Sequence, residues 1–173
     1  MTAPRTLTRP SAAVSRRAHL LHTEAPGAVL LVRLSVGAVF VCEGLLKFVR
    51  PGELGAGRFD RAGLPVPGFL GYVDGTLEVV CGLLLLAGLL TRLAAAPMVV
   101  NMTGALLVTK VPILWGGAPL FTDMAGWWDF AHAARTDLAL LCGSAFLLAV
   151  GAGPWSVDAR LSRHTMLEAA TRP

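Results

Sequence analysis

Four mostly apolar stretches, residues 28–49, 69–90, 93–114 and 131–150, constrain this chain more than any other feature. Each has the length of a membrane crossing, since about 20 helical residues are needed to cross a hydrocarbon core of roughly 30 Å. A single segment in lipid has no water to satisfy its backbone, so it must be helical, and these stretches are too long for barrel strands. The expected fold is all-α: an integral membrane four-helix bundle. Composition agrees. Of 173 residues, 54% are apolar and only 15% are charged, against about 25% in a soluble domain.

The chain divides into a flexible N-terminal tail (1–27), the four-span domain (28–160) and a C-terminal tail (161–173). No short apolar stretch with a cleavage site follows the arginines of the N-terminal tail, so it reads as a retained tail and not a signal peptide. Thr91-Arg92 makes a tight link between spans two and three. Loops one (50–68) and three (115–130) are long, rich in Gly and Pro, and emerge opposite the tails. The tails and the short link carry Arg5, Arg9, Arg16, Arg17, Arg92, Arg160, Arg163 and Arg172, whereas the long loops carry only Arg50, Arg58 and Arg61. The richer side is normally cytoplasmic. Both termini are therefore expected in the cytoplasm, in a multi-pass protein of the bacterial cytoplasmic (inner) membrane. Tyr72, Trp115, Trp127 and Trp128 would form an aromatic belt at the outer face, with Trp155 at the inner one.

A net charge of +4 does not point to nucleic acid, because the basic residues form no stripe. Lipid headgroups are the expected partners. Cys42, Cys81 and Cys142 all fall inside apolar stretches and no two form a Cys-x-x-Cys pair, which argues against a membrane dithiol relay. They read as small buried apolar residues. No His or Cys spacing suggests a metal site.

Ionisable residues inside spans are costly, by about 2.5–3.5 kcal/mol each or more, so their positions are informative. Glu43 and Lys47 lie near the loop end of span one, Asp74 and Glu78 in the loop half of span two, Lys110 near the loop end of span three. His132, Arg135 and Asp137 lie near the start of span four. All are expected within roughly 15 Å of the same boundary, with Arg33 and Asn101 left in the other half. Glu43 and Lys47 are spaced i,i+4 with the acid first, the favourable order. Asp74 and Glu78 share one face, and Lys110 and Arg135 are the cations expected to partner them. An acid left without a full partner is suited to proton handling. The structural alternative is that such charges lock the bundle's register, with Lys47 and Lys110 reaching outward. Gly37 and Gly44 on span one, and Gly71 and Gly75 on span two, mark expected close helix contacts.

Several of these segments resemble the DoxX family of small bacterial membrane proteins. Span one, from Arg33-Leu-Ser-Val-Gly through Glu43-Gly44-Leu-Leu-Lys47-Phe48, is similar to the family's first helix. Ala62-Gly63-Leu64-Pro65 ends loop one in the family's manner. Leu77-Glu78-Val-Val-Cys-Gly82 through Gly88-Leu-Leu-Thr91-Arg92 is the most specific match. His132-Ala-Ala-Arg135-Thr136-Asp137 and the exit Gly153-Pro-Trp155-Ser156-Val-Asp158 resemble one subgroup, which carries Glu where this chain has Ala133. The resemblance implies a four-helix membrane domain. The family takes its name from a membrane subunit of a thiosulfate:quinone oxidoreductase, and other members resemble partners in redox systems.

The function expected from the residues and the resemblance together is a redox-linked membrane subunit binding a quinone or similar amphipathic molecule. Glu78 and Lys47 are the candidate catalytic pair. Glu43, Asp74, Lys110, His132, Arg135 and Asp137 are the candidate ligand-binding residues. No covalently bound cofactor is expected, and electrons would come from a redox partner protein or a substrate that reacts directly. The alternative is a non-enzymatic scaffold or small transporter component. The absence of an evident internal repeat weighs against a stand-alone transporter.

Overall fold

The structure, a computed structural model, describes residues 26–163. Arg5, Arg9, Arg16, Arg17 and Arg172, and most of both tails, lie outside the described residues. The regular structure of the described residues is all helical, with no strand. Its elements are α1 (Val29–Val49), α2 (Ala56–Arg61), α3 (Pro67–Ala87), α4 (Thr91–Ala105) and α5 (Trp127–Val150). A π-helical turn, Leu106–Lys110, and a 3-10 turn, Val111–Trp115, continue α4. Among the described residues, four helices are long and apolar enough to cross a membrane: α1, α3, α4 with its two turns, and α5. The even number of crossings puts both ends of the domain on one side, here the tail end, and loops one and three at the other, the loop end.

The boundaries correct the sequence in three places. The second span starts at Pro67, whose missing N–H costs nothing in a first turn, and stops at Gly88, whose φ of 67° ends the helix. The link to the third span is thus Gly88–Leu90, and Thr91 and Arg92 already belong to α4. The fourth span starts at Trp127, so the Trp127-Trp128-Asp129 cluster is its first turn and not loop. Loop one is not irregular throughout, because it contains α2. Arg61 ties that loop together, donating to Gly52 O at 2.9 Å and Glu53 O at 2.7 Å.

Spans α1 and α3 run antiparallel and touch at two pairs of glycines. A Cβ on Gly37 would stand 2.9 Å from Gly82 O, and one on Gly44 would stand 2.7 Å from Gly75 O. The two pairs share a seven-residue spacing, two helical turns, so the backbones meet twice on one seam. Lipid offers no hydrophobic drive for helices to associate, and this close approach supplies packing in its place. Gly71 has a different role: a Cβ there would lie 2.7 Å from Ala56 N, at the start of α2.

The tail half holds the apolar core, including Phe40, Leu85, Met98 and Leu147. It is closed by a polar knot. Arg33, only 3% exposed, donates to Ala152 O at 2.7 Å and Trp155 O at 2.8 Å. The Asp158 carboxylate accepts the free N–H groups of Leu90 (2.7 Å) and Thr91 (3.0 Å), capping α4 from a distant part of the chain. Its own N–H donates to Gly88 O at 2.9 Å. Residues 157–163 are helical, and Ser156 caps them by accepting Ala159 N–H at 3.1 Å. The exit of the last span is thereby fastened to the α3–α4 hairpin and to α1.

Candidate functional site

The loop half encloses a cavity of about 550 Å³. Its polar floor starts at Glu78, 2% exposed and eleven residues after Pro67. At about 1.5 Å per residue this is roughly 16 Å along the helix, near mid-membrane. Lys47 from α1 reaches across the glycine seam to both acids of α3: it pairs with Asp74, and its Nζ lies 2.6 Å from Glu78 Oε2. The crossing of Gly44 against Gly75 makes this reach short. One ammonium thus faces two carboxylates, and the triad is neutral only with one proton added.

Asn101 of α4 donates to Glu78 Oε1 at 3.3 Å. Asn101 therefore belongs to this site and not to the opposite half of the bundle. Its signal in the sequence was plain, since it is a polar side chain in mid-span that matches the depth of Glu78.

A second polar pair faces the cavity from the other side. Lys110, 6% exposed, lies 3.8 Å from Asp137 Oδ2 of α5. Its ammonium also stands 4.1 Å from the centroid of the Phe121 ring in loop three, a cation–π distance. Lys110 ends the π turn. Pro112 comes shortly after it and cannot donate to an α-helical ladder, so regular helix gives way here. A π turn inserts an extra residue and so rotates the end of the helix, which brings Lys110 to the interior.

Of the remaining candidates, Glu43 lines the cavity. Lys47 turns to Asp74 and Glu78 and not to Glu43, its expected i,i+4 partner, because α3 is the nearer neighbour along the seam. The expected pairing of Asp74 and Glu78 with Lys110 and Arg135 is likewise corrected: Lys47 serves both acids, and Lys110 serves Asp137. His132 and Arg135 do not join the site. Both are exposed, and the Arg135 guanidinium donates to the carbonyl of His132 on its own helix. They lie two residues before the inward positions Ala134 and Asp137, about 200° around the helix.

The roof and walls were not legible as site residues. Arg58, Phe59 and Leu64 come from loop one and Leu120 from loop three. The wall on α4 includes Val100, Gly104 and Val108. Val100 is 73% exposed, and a Cβ on Gly104 would meet nothing within 4 Å. The cavity therefore reaches the bundle's lipid-facing surface beside α4. Charged groups at the floor, apolar walls and a lateral mouth suit an amphipathic guest. Among the described residues, no three His, Cys, Asp or Glu side chains gather as a metal site.

Comparison with known proteins gives a consistent set of matches. A family model described as DoxX matches residues 28–111. A protein of Mycobacterium tuberculosis named "Uncharacterized membrane protein Rv3486" is 51% identical over 145 residues, covering 84% of this chain and 88% of that protein. A protein of Bacillus subtilis named "Putative oxidoreductase CatD" is 32% identical over 118 residues, covering 68% of this chain and 81% of that protein. No solved structure matches the chain.

Proposed function

Because the chain belongs to the DoxX family of membrane proteins, we propose that it is a redox-linked membrane subunit binding a quinone or similar amphipathic carrier in the loop-half cavity. The observation that carries this reading is the cavity itself: a volume of about 550 Å³, with paired ammonium and carboxylate groups inside and an apolar mouth beside Val100 and Gly104. The Bacillus relative's name, which includes "oxidoreductase", lends support.

The residues fit such a guest. Asp137 Oδ2 is buried without a hydrogen-bond partner, and the Lys110 ammonium beside it has no hydrogen bond among the described residues. A bound quinone supplies two-electron chemistry coupled to protons. Lys47 donates a hydrogen bond to a guest oxygen. Glu78 holds or releases a proton at a carboxylate oxygen, next to Lys47 and Asn101. The apolar walls keep bulk water from the buried pair. Electrons come from a partner protein or from a substrate that reacts at the loop end. The protein resides in the bacterial cytoplasmic membrane with its tails inside, so the roofed site faces outward.

The test is the guest. Protein purified in mild detergent is extracted with organic solvent, and the extract is scanned for quinone by absorbance and mass. Retained quinone, or saturable binding of added decyl-1,4-benzoquinone, supports the reading. Neither being found makes the membrane scaffold the better description.

A further inference from the structure

Two features of the site are not explained by a single ligand contact at Lys47 and Glu78. The first is Lys110. An ammonium carries three N–H donors, and burying them without acceptors is costly. Yet Lys110, 94% removed from solvent by its 6% exposure, makes no hydrogen bond to any described residue. Its ion-pair partner, Asp137 Oδ2, is 3.8 Å away, beyond hydrogen-bonding reach. That same oxygen is buried and has no hydrogen-bond partner of its own. An ammonium and a carboxylate thus form an ion pair on the cavity wall with no hydrogen bond between them, which leaves donor and acceptor capacity for a guest.

The second feature is the π turn Leu106–Lys110. A π turn carries an extra residue, so it changes the direction of the side chains at its end, Lys110 among them. Such turns are rare and gather at functional sites, so the backbone irregularity and the ammonium's spare donor capacity point the same way.

The opposite wall repeats the arrangement. Lys47 Nζ stands beside Glu78 Oε2 at 2.6 Å, again an ammonium next to a buried carboxylate. Each pair can meet a carbonyl, which accepts from the lysine. Each can equally meet a hydroxyl, which accepts from the lysine and donates to the carboxylate.

We infer that the cavity is a two-pole site, with Lys110 and Asp137 as its second ligand-binding pole, and that its ligand carries two oxygen functions on opposite sides of one ring, a dione or the corresponding diol. This deepens the amphipathic-carrier reading and rests on it. The Phe121 ring, over which the Lys110 ammonium stands, helps to orient the amine from loop three.

The experiment compares two probes on the full chain in detergent by isothermal titration. One is decyl-1,4-benzoquinone, with two ring oxygens; the other is 4-decylphenol, with one. Wild type should bind the dione more tightly, by roughly tenfold or more, the worth of one hydrogen bond to a charged group. Lys110→Met leaves Asp137 unpaired and is prone to misfold, so Lys110→Met/Asp137→Asn is measured beside it. The double variant should lose that advantage for the dione and leave the phenol's affinity unchanged, because the Lys47 pole remains. Dione binding that is unaltered in the double variant overturns the two-pole site while leaving the carrier reading intact. Equal affinity of wild type for both probes overturns it as well. No binding of either probe to wild type overturns both.

Discussion

At the scale of single residues, the two members of the Lys47–Glu78 pair differ in what their loss does. Glu78→Gln keeps size and a hydrogen-bonding carbonyl for Asn101, and leaves Lys47 paired with Asp74. It removes the titrating proton. This variant should insert, purify and melt like wild type, yet fail in a quinone-linked or complementation assay that wild type passes. Lys47→Met is not so mild. It strips the shared cation from the buried Glu78 and the partly buried Asp74, and breaking a buried pair from one side costs about 3–5 kcal/mol. A lower Tm in detergent is expected, partly restored by adding Asp74→Asn, and the assay should still fail. Full activity in both variants would make the network purely structural. The sequence showed which residues are ionisable and at what depth. It did not show azimuth: Arg135 and Asp137 are two residues apart and have opposite fates, and spacing alone paired Lys47 with Glu43 although α3 packs closer.

At the scale of elements, the span positions were legible because length and apolarity determine them, whereas the devices that shape the spans were not. The glycine seam was half visible. Gly37 and Gly44 stood out, but their partners, Gly82 and Gly75, depend on the antiparallel register of α1 and α3. Leucine at Gly44 would drive a side chain into backbone 2.7 Å away, an overpacking cost of about 1–3 kcal/mol. Gly44→Leu should therefore lower yield and Tm, whereas Gly104→Leu, facing open space, should fold normally and reduce binding of decyl-1,4-benzoquinone by narrowing the mouth. Equal melting of the two variants would remove the seam's special role. The cap on α4 was hidden for another reason: Asp158 is 67 residues beyond Thr91 in sequence, and capping signals are read locally. Asp158→Ala leaves two backbone N–H groups without their acceptor. A loss of about 1–2 kcal/mol is expected, read as a lower Tm with ligand binding retained at low temperature, because the knot lies at the end of the bundle away from the cavity.

For the whole molecule, the fold class was legible from four apolar lengths, but the sidedness rests on charge at the tail end. Among the described residues at or beyond the span ends, the arginines Arg92, Arg160 and Arg163 lie at the tail end and Arg50, Arg58 and Arg61 at the loop end, so these balance. Arg61 is moreover engaged by two carbonyls of its own loop. The excess comes from the tail arginines, of which Arg16 and Arg17 stand nearest to Val29, inside the distance over which positive charge orients a first span. This excess favours cytoplasmic tails, and with them a roofed cavity near the outer surface. Alkaline phosphatase, active only outside the cytoplasm, should be inactive when fused after Pro173 and active when fused after Arg61. Replacing Arg16 and Arg17 with serine should weaken this bias and raise the activity of the Pro173 fusion. An active Pro173 fusion on the unaltered chain would invert the protein. The cavity would then open toward the cytoplasmic leaflet, and the electron donor that the proposed redox function requires would have to be sought among cytoplasmic proteins.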